Sequence, residues 1–158
     1  MIELEKLSYE NYDECIQLKV AIDQKNFVAD NATSIIHAYF ELEKGKMIPM
    51  PYVIKKDDEM IGFIMMSYCK ADLNNPAQKN EYCIWRFMVD KQYQGKGYGR
   101  TSVLKALDIL RTYPMGYSES VCLFVEKDNV KAKGLYNSIG FVETGESIDD
   151  EVKLRKYL

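Results

Sequence analysis

The chain has 158 residues, 47% hydrophobic and 28% charged, with a formal net charge of −3; that length suits a single domain, residues 1–158, burying about two-thirds of its unfolded surface. The small charge, with no basic run interleaved with aromatics, argues against a nucleic-acid partner, and the alternating start Met1-Ile2-Glu3-Leu4-Glu5-Lys6, with no apolar run approaching about 18 residues, argues against export or a membrane span. Cys15, Cys69, Cys83 and Cys122 show no C-x-x-C spacing and three lie in apolar stretches, so reduced structural thiols and a cytoplasmic location are expected.

Residues 2–7 read as a strand. Ser8 can cap a helix running to about residue 21, with Cys15, Leu18 and Ile22 at helical spacing. Asp30 or Asn31 can cap a second helix to about residue 43, carrying Ile35, Ile36, Tyr39, Phe40 and Leu42. The single histidine, His37, lies on that helix outside any metal-ligand cluster, and no metal is predicted. Pro49 and Pro51 punctuate before the next strand, and residues 52–55 and 60–69 flank Lys56-Asp57-Asp58-Glu59 as a hairpin. A polar connection through Asn74-Asn75-Pro76 leads to a long strand over residues 79–89.

The stretch Gln94-Gly95-Lys96-Gly97-Tyr98-Gly99-Arg100 follows that strand. The helix beyond it carries Val103, Leu104, Leu107 and Leu110 on one face and ends before Pro114. Residues 121–125 form an unbroken apolar run, as in a strand buried on both faces. A helix opened by Asn129 and two strands, about 141–147 and 152–158, complete the chain. The strand, helix and strand between residues 84 and 125 imply one parallel unit in an otherwise largely antiparallel sheet.

A glycine-rich turn between a strand and a helix suits a phosphate. Main-chain N–H groups point outward with no Cβ in the way, and the helix adds the positive end of its dipole. The glycines fall as G-x-G-x-G at 95, 97 and 99, which departs from the dinucleotide fingerprint G-x-G-x-x-G, and no G-x-x-x-x-G-K-[ST] is present for a P-loop. A different phosphorylated cofactor is expected.

Gln94, Gly97 and Gly99 match the pattern Gln-x-x-Gly-x-Gly, and Asn129, Ala132, Leu135, Tyr136, Gly140 and Phe141 match Asn-x-x-Ala-x-x-Leu-Tyr-x-x-x-Gly-Phe. In these two motifs the chain resembles the GCN5-related N-acetyltransferase (GNAT) superfamily. The resemblance implies an α/β (α+β) fold: a mixed, mostly antiparallel sheet of six or seven strands with a central splayed parallel pair and about four helices. It implies acetyl-CoA as co-substrate, its pantetheine arm on the main chain of Phe87, Met88 and Val89, its pyrophosphate on Gln94, Gly95, Lys96, Gly97, Tyr98, Gly99 and Arg100, and further contacts from Asn129 and Ala132. Tyr136 takes the position of a general acid for the departing thiolate. The family's acidic general base aligns with Trp85, so the base is open: Glu81 is the nearest carboxylate, and a water relay is the alternative.

Phe27-Val28-Ala29-Asp30-Asn31 and Trp85-Arg86-Phe87-Met88-Val89-Asp90 resemble the bacterial spermine/spermidine (diamine) acetyltransferase branch. That likeness implies a small-molecule polyamine acceptor, with Asp30, Glu41 and Glu43 as carboxylates and Trp85, Tyr39 and Phe40 as walls. Another amine (a protein N-terminus, lysine, amino acid or aminoglycoside), or a non-catalytic acyl-CoA-binding module, is the alternative. A homodimer is a family-based expectation.

Overall fold

The computed structural model describes residues 1–75 and 77–158; of the polar connection expected at Asn74-Asn75-Pro76, Pro76 lies outside the described residues. In chain order the elements are β1 (Ile2–Lys6), α1 (Tyr12–Gln17), α2 (Asn31–Lys44), β2 (Met47–Lys56), β3 (Glu59–Cys69), β4 (Glu81–Val89), α3 (Tyr98–Leu110), β5 (Ser120–Glu126), α4 (Val130–Ile139), β6 (Val142–Ile148) and β7 (Glu151–Tyr157). The seven strands form one sheet in the order β1-β2-β3-β4-β5-β7-β6. Every neighbouring pair is antiparallel except β4 and β5.

The sheet is covered on both faces, which is why β3 is buried from Met60 to Tyr68. Ile54, Ile64, Met66, Tyr82 and Leu123 pack with Val103, Leu107 and Leu110 of α3 and with Tyr136 and Ile139 of α4. On the opposite face Val53, Phe63, Met65 and Met88 pack with Cys15 of α1 and Ala38 of α2. Among the described residues no helix is long and apolar enough to cross a membrane.

Three expectations change. The first helix starts at Tyr12, not after Ser8, because the Asn11 side chain is committed to the preceding turn: its Oδ1 accepts from Ser8 N (2.8 Å) and its Nδ2 donates to Glu5 Oε1 and the Lys6 carbonyl. It stops at Gln17, because Leu18 is extended and Lys19 N donates to Asp90 Oδ2 at 2.8 Å. Pro49 and Pro51 lie inside β2 instead of preceding it. The Pro51 carbonyl accepts from Leu7 N at 3.0 Å, so its main chain faces away from β3, and β1 pairs with β2 only over Tyr52–Lys56. The missing proline donors therefore fall at the sheet edge, where no ladder bond is lost.

Gly62 lies opposite Val89, and a Cβ there would meet the Met88 carbonyl oxygen at 2.5 Å. That contact is with backbone, which cannot swing aside. Gly62→Ala is expected to cost about 2–3 kcal/mol and lower the Tm by about 5–10 °C in thermal unfolding.

Candidate active site

The site begins where two strands part. β4 and β5 pair over only two positions, Tyr82 with Val121 and Cys83 with Cys122. The β3–β4 register shifts between Met65 and Met66, so that Trp85 is the bulged residue between Ile84 and Arg86. Beyond Cys83 the edge of β4 that faces β5 has no strand partner. The gap is a slot of about 620 Å³, lined by β4 from Ile84 to Val89, by Phe124, Val125 and Glu126 of β5, by the loop and start of α3, by α4 and by the segment before α2.

Strand alternation decides which main-chain groups face the slot. Val89 O already accepts from Gln94 Nε2 (2.9 Å) and Trp85 O from Arg86 Nη1 (3.0 Å). Phe87 shares their orientation, and its amide and carbonyl are the free pair that an extended arm can meet. The Phe87 and Met88 side chains pack into opposite core clusters, so side-chain packing and main-chain contact do not compete.

At the end of β4 the chain turns through a 3-10 turn, Lys91–Tyr93, into the glycine loop. Asp90, buried, organises the turn: Oδ1 accepts from Gln92 N at 3.0 Å while Oδ2 holds Lys19 N. Gly95 and Gly97 have φ of +76° and +80°, a region that disfavours a side chain, and Gly97 caps α3. The first amides of α3 therefore open toward the slot with the helix dipole behind them. The Gln94 amide donates to Gln24 Oε1 at 2.7 Å, tying this loop to the opposite wall.

Gln94, Gly95, Gly97, Tyr98, Gly99 and Arg100 all line the slot. Lys96 does not: its Nζ turns back to the Gln92 carbonyl (3.1 Å) and lies 5.4 Å from the Tyr93 ring centroid. On α4, Asn129 Oδ1 caps the helix by accepting from Ala132 N at 3.1 Å, and Asn129, Ala132 and Tyr136 line the slot. Burial pushes the Tyr136 phenol pKa well above its ordinary value, so the hydroxyl keeps its proton. Its oxygen has no hydrogen-bond partner among the described residues.

The acceptor residues expected from sequence are only partly brought together. Trp85 lines the slot, but Asp30 does not: it caps α2, accepting from Thr33 N (2.8 Å) and Thr33 Oγ1 (3.0 Å), and the Thr33 amide holds its carboxyl below the usual range. Glu41 pairs with Lys44 at 2.5 Å and borders a separate hollow with His37, Phe40 and Trp85. Glu81 is also away from the slot. It sits at the start of β4, where Arg155 Nε (2.6 Å), Lys153 Nζ (3.1 Å) and Ser120 Oγ (3.0 Å) surround it. Burial alone would raise its pKa, but Arg155 and Lys153 hold it below the ordinary value, which suits an ion-pair anchor and not a proton acceptor at neutral pH.

Sequence reasoning missed two carboxylates and one wall. Glu126 and Glu151 are opposite one another across β5 and β7 and both line the slot. Burial first, and then the Glu126 charge, push the Glu151 carboxyl above its ordinary range. Val20, Lys25, Phe27 and Val28, between α1 and α2, form the other wall. The Phe27-Val28-Ala29 run was the available signal for that wall, whereas Glu151 becomes visible only through strand pairing.

With this geometry in place, comparison with known proteins gives the family. The model of the acetyltransferase (GNAT) family matches residues 12–141. The chain belongs to the GNAT acetyltransferase family. Among relatives, a protein of Bacillus subtilis strain 168 named an uncharacterized N-acetyltransferase is 31% identical over 102 residues, 60% of this chain and 59% of that protein. A protein of Bacillus subtilis subsp. natto named a probable spermine N(1)-acetyltransferase is 26% identical over 148 residues, 92% of this chain and 90% of that one. The spermidine N-acetyltransferase of Vibrio cholerae, crystallised with CoA and spermine, superposes with a TM-score of 0.68 at 18% identity, covering 99% of this chain and 95% of that chain. The sheet with its single parallel pair and four helices is the GNAT fold, and the protein is an acyltransferase.

The geometry makes two expectations testable. A Cβ at Gly99 would only touch the Phe87 ring at 3.5 Å, so the fold tolerates a side chain there, but a carboxylate would intrude on the loop amides. Gly99→Asp is expected to weaken coenzyme A binding by at least about 30-fold in calorimetry with a Tm change under about 3 °C. Glu81→Gln is expected to cost about 2 kcal/mol at pH 7 by denaturant unfolding. Because its folded pKa is depressed, that contribution is present above the unfolded value of about 4.3 and lost as the pH falls through the folded one, so the deficit should shrink at pH 3 while coenzyme A affinity at pH 7 stays unchanged.

Proposed function

We propose that this GNAT-family protein transfers the acetyl group of acetyl-CoA to a primary amine, with a polyamine as the acceptor, by direct transfer in a ternary complex. The observation that carries this reading is the single slot that joins the glycine loop, the free Phe87 main chain and Tyr136 to the Glu126 and Glu151 carboxylates of β5 and β7.

The loop amides from Gln94 to Arg100 hold the pyrophosphate, the Phe87 main chain holds the pantetheine arm as an added strand in place of the three-residue contact expected over Phe87, Met88 and Val89, and Asn129 and Ala132 border its reactive end. Acetyl-CoA supplies a thioester carbonyl open to attack and a thiolate that leaves. Tyr136 donates its proton to that thiolate. The Cys83 thiol, pushed well above its ordinary pKa by a hydrogen bond with the Cys122 thiol and by burial, is a poor nucleophile, in keeping with transfer without an acyl-enzyme.

The polyamine reading draws on the printed name of the 26% identical relative and on the slot itself. Glu126 and Glu151 take the place of Asp30 and Glu41 as anchors for distal ammonium groups, and Trp85, Phe27 and Phe124 form apolar walls for methylenes.

Thiol release with acetyl-CoA should saturate with spermine or spermidine and stay low with lysine and an N-terminal peptide; the reverse order would replace the polyamine by another amine. Tyr136→Phe is expected to lower kcat about 100-fold with little change in KM, and unchanged turnover would remove the acid from Tyr136.

A further inference from the structure

The two carboxylates that line the slot, Glu126 and Glu151, stand on β5 and β7, and β4 supplies no base. From Ile84 to Val89 the slot-lining strand contains no carboxylate, and its one charged residue is Arg86. Met65, opposite Arg86, belongs to the core cluster under α1 and α2, so Arg86 projects toward that face of the sheet, on the acceptor side of the slot. The guanidinium carbon lies 4.7 Å from the Trp85 ring centroid, and Nη1 is bonded to the Trp85 carbonyl, so the group is fixed. Nε is buried with no partner, and among the described residues Arg86 makes no salt bridge within 4.0 Å. Burial lowers its pKa and the Glu151 charge offsets part of that, and a guanidinium stays charged throughout the range in which proteins work. A half-buried cation with no ion-pair partner among the described residues, its charge met through space by Glu151, is therefore built into the slot beside Phe87.

We propose that Arg86 replaces a general base by electrostatics: its fixed charge makes the acceptor ammonium beside it more acidic, so that the free amine forms without a carboxylate to take the proton. This rests on the acetyltransferase reading. The proton passes to water. The amine nitrogen then bonds to the acetyl carbon, the carbon–sulfur bond breaks, and the thiolate takes the Tyr136 proton; the new amide nitrogen returns its extra proton to solvent and Tyr136 regains its own.

A unit charge about 6 Å away at an effective dielectric of about 20 shifts a pKa by about two units, most of the gap between a primary amine at about 10.4 and a cellular pH. The other groups around the slot divide by position. Lys25 from the segment before α2 and Lys131 of α4 add positive charge, Arg100 belongs to the phosphate end, and Tyr136 is neutral. Glu126 and Glu151, across on β5 and β7, oppose Arg86 and hold the far end of the acceptor.

The test is proton release when cadaverine binds to the complex of the protein with coenzyme A, by calorimetry at pH 8.5 in two buffers of different ionisation enthalpy. This readout needs no turnover, so a failure of acetyl transfer is seen separately in the thiol assay. A two-unit depression releases about half a proton per bound amine. We expect that in wild type, under about a tenth in Arg86→Gln, and recovery in Arg86→Lys, with coenzyme A affinity equal in all three. Equal release in wild type and Arg86→Gln overturns the proposal. So does no binding of cadaverine beside coenzyme A, or an Arg86→Gln effect seen only as weaker binding of lysine relative to cadaverine, which would make Arg86 a carboxylate anchor.

Discussion

The early end of the β4–β5 pairing governs this molecule. Two residue pairs join the strands at Tyr82 and Cys83, after which the Trp85 bulge turns β4 away. Unpaired strand edges are a liability, exposing donors and acceptors that invite another chain. Here the exposed edge is short and enclosed between α3, α4 and the segment before α2. An extended small molecule can complete it.

The same parting divides the chemistry between the two faces of the sheet. On the α3 and α4 face lie the glycine loop, Asn129 and Tyr136, which bring main-chain dipoles and a phenol held protonated to one side of the slot. On the α1 and α2 face lie Trp85 and Arg86, with Glu126 and Glu151 at its border. Backbone donors thus dominate one side of the strand, and charged side chains of both signs the other. The ion pairs of Glu81 with Lys153 and Arg155 belong to a third region, at the root of the splay. There they tie β4 to β7 across β5, spanning the strand to which β4 is least bonded.

Much of this was legible in the sequence because it depends on local backbone chemistry. The order of all eleven elements, the glycine loop and the Asn129 helix each follow from residues a few positions apart. The misreadings arose where a side chain's partner or a neighbouring strand decides. Ser8 looks like a cap until Asn11 is seen bonding back to Glu5 and Lys6. Pro49 and Pro51 look like breakers until β1 is seen to end at their level. Glu81 looks close to the chemistry in sequence, but its partners lie 72 and 74 residues later, on β7. Glu126 and Glu151 carry no motif, and only the β5–β7 register brings them together.

The wall formed by residues 20–29 differs from every other side of the slot. It lies between two helices, contributes nothing to the sheet, and is moored through Lys19 N on Asp90 and Gln24 on Gln94. Val20 and Val28 pack on the core, but the exposed Lys25, Asn26 and Phe27 can change without disturbing strand register or the cofactor loop. A lineage carrying this chain can retune which acceptor it takes by drift in one short segment, while inheriting the cofactor half of the site unaltered.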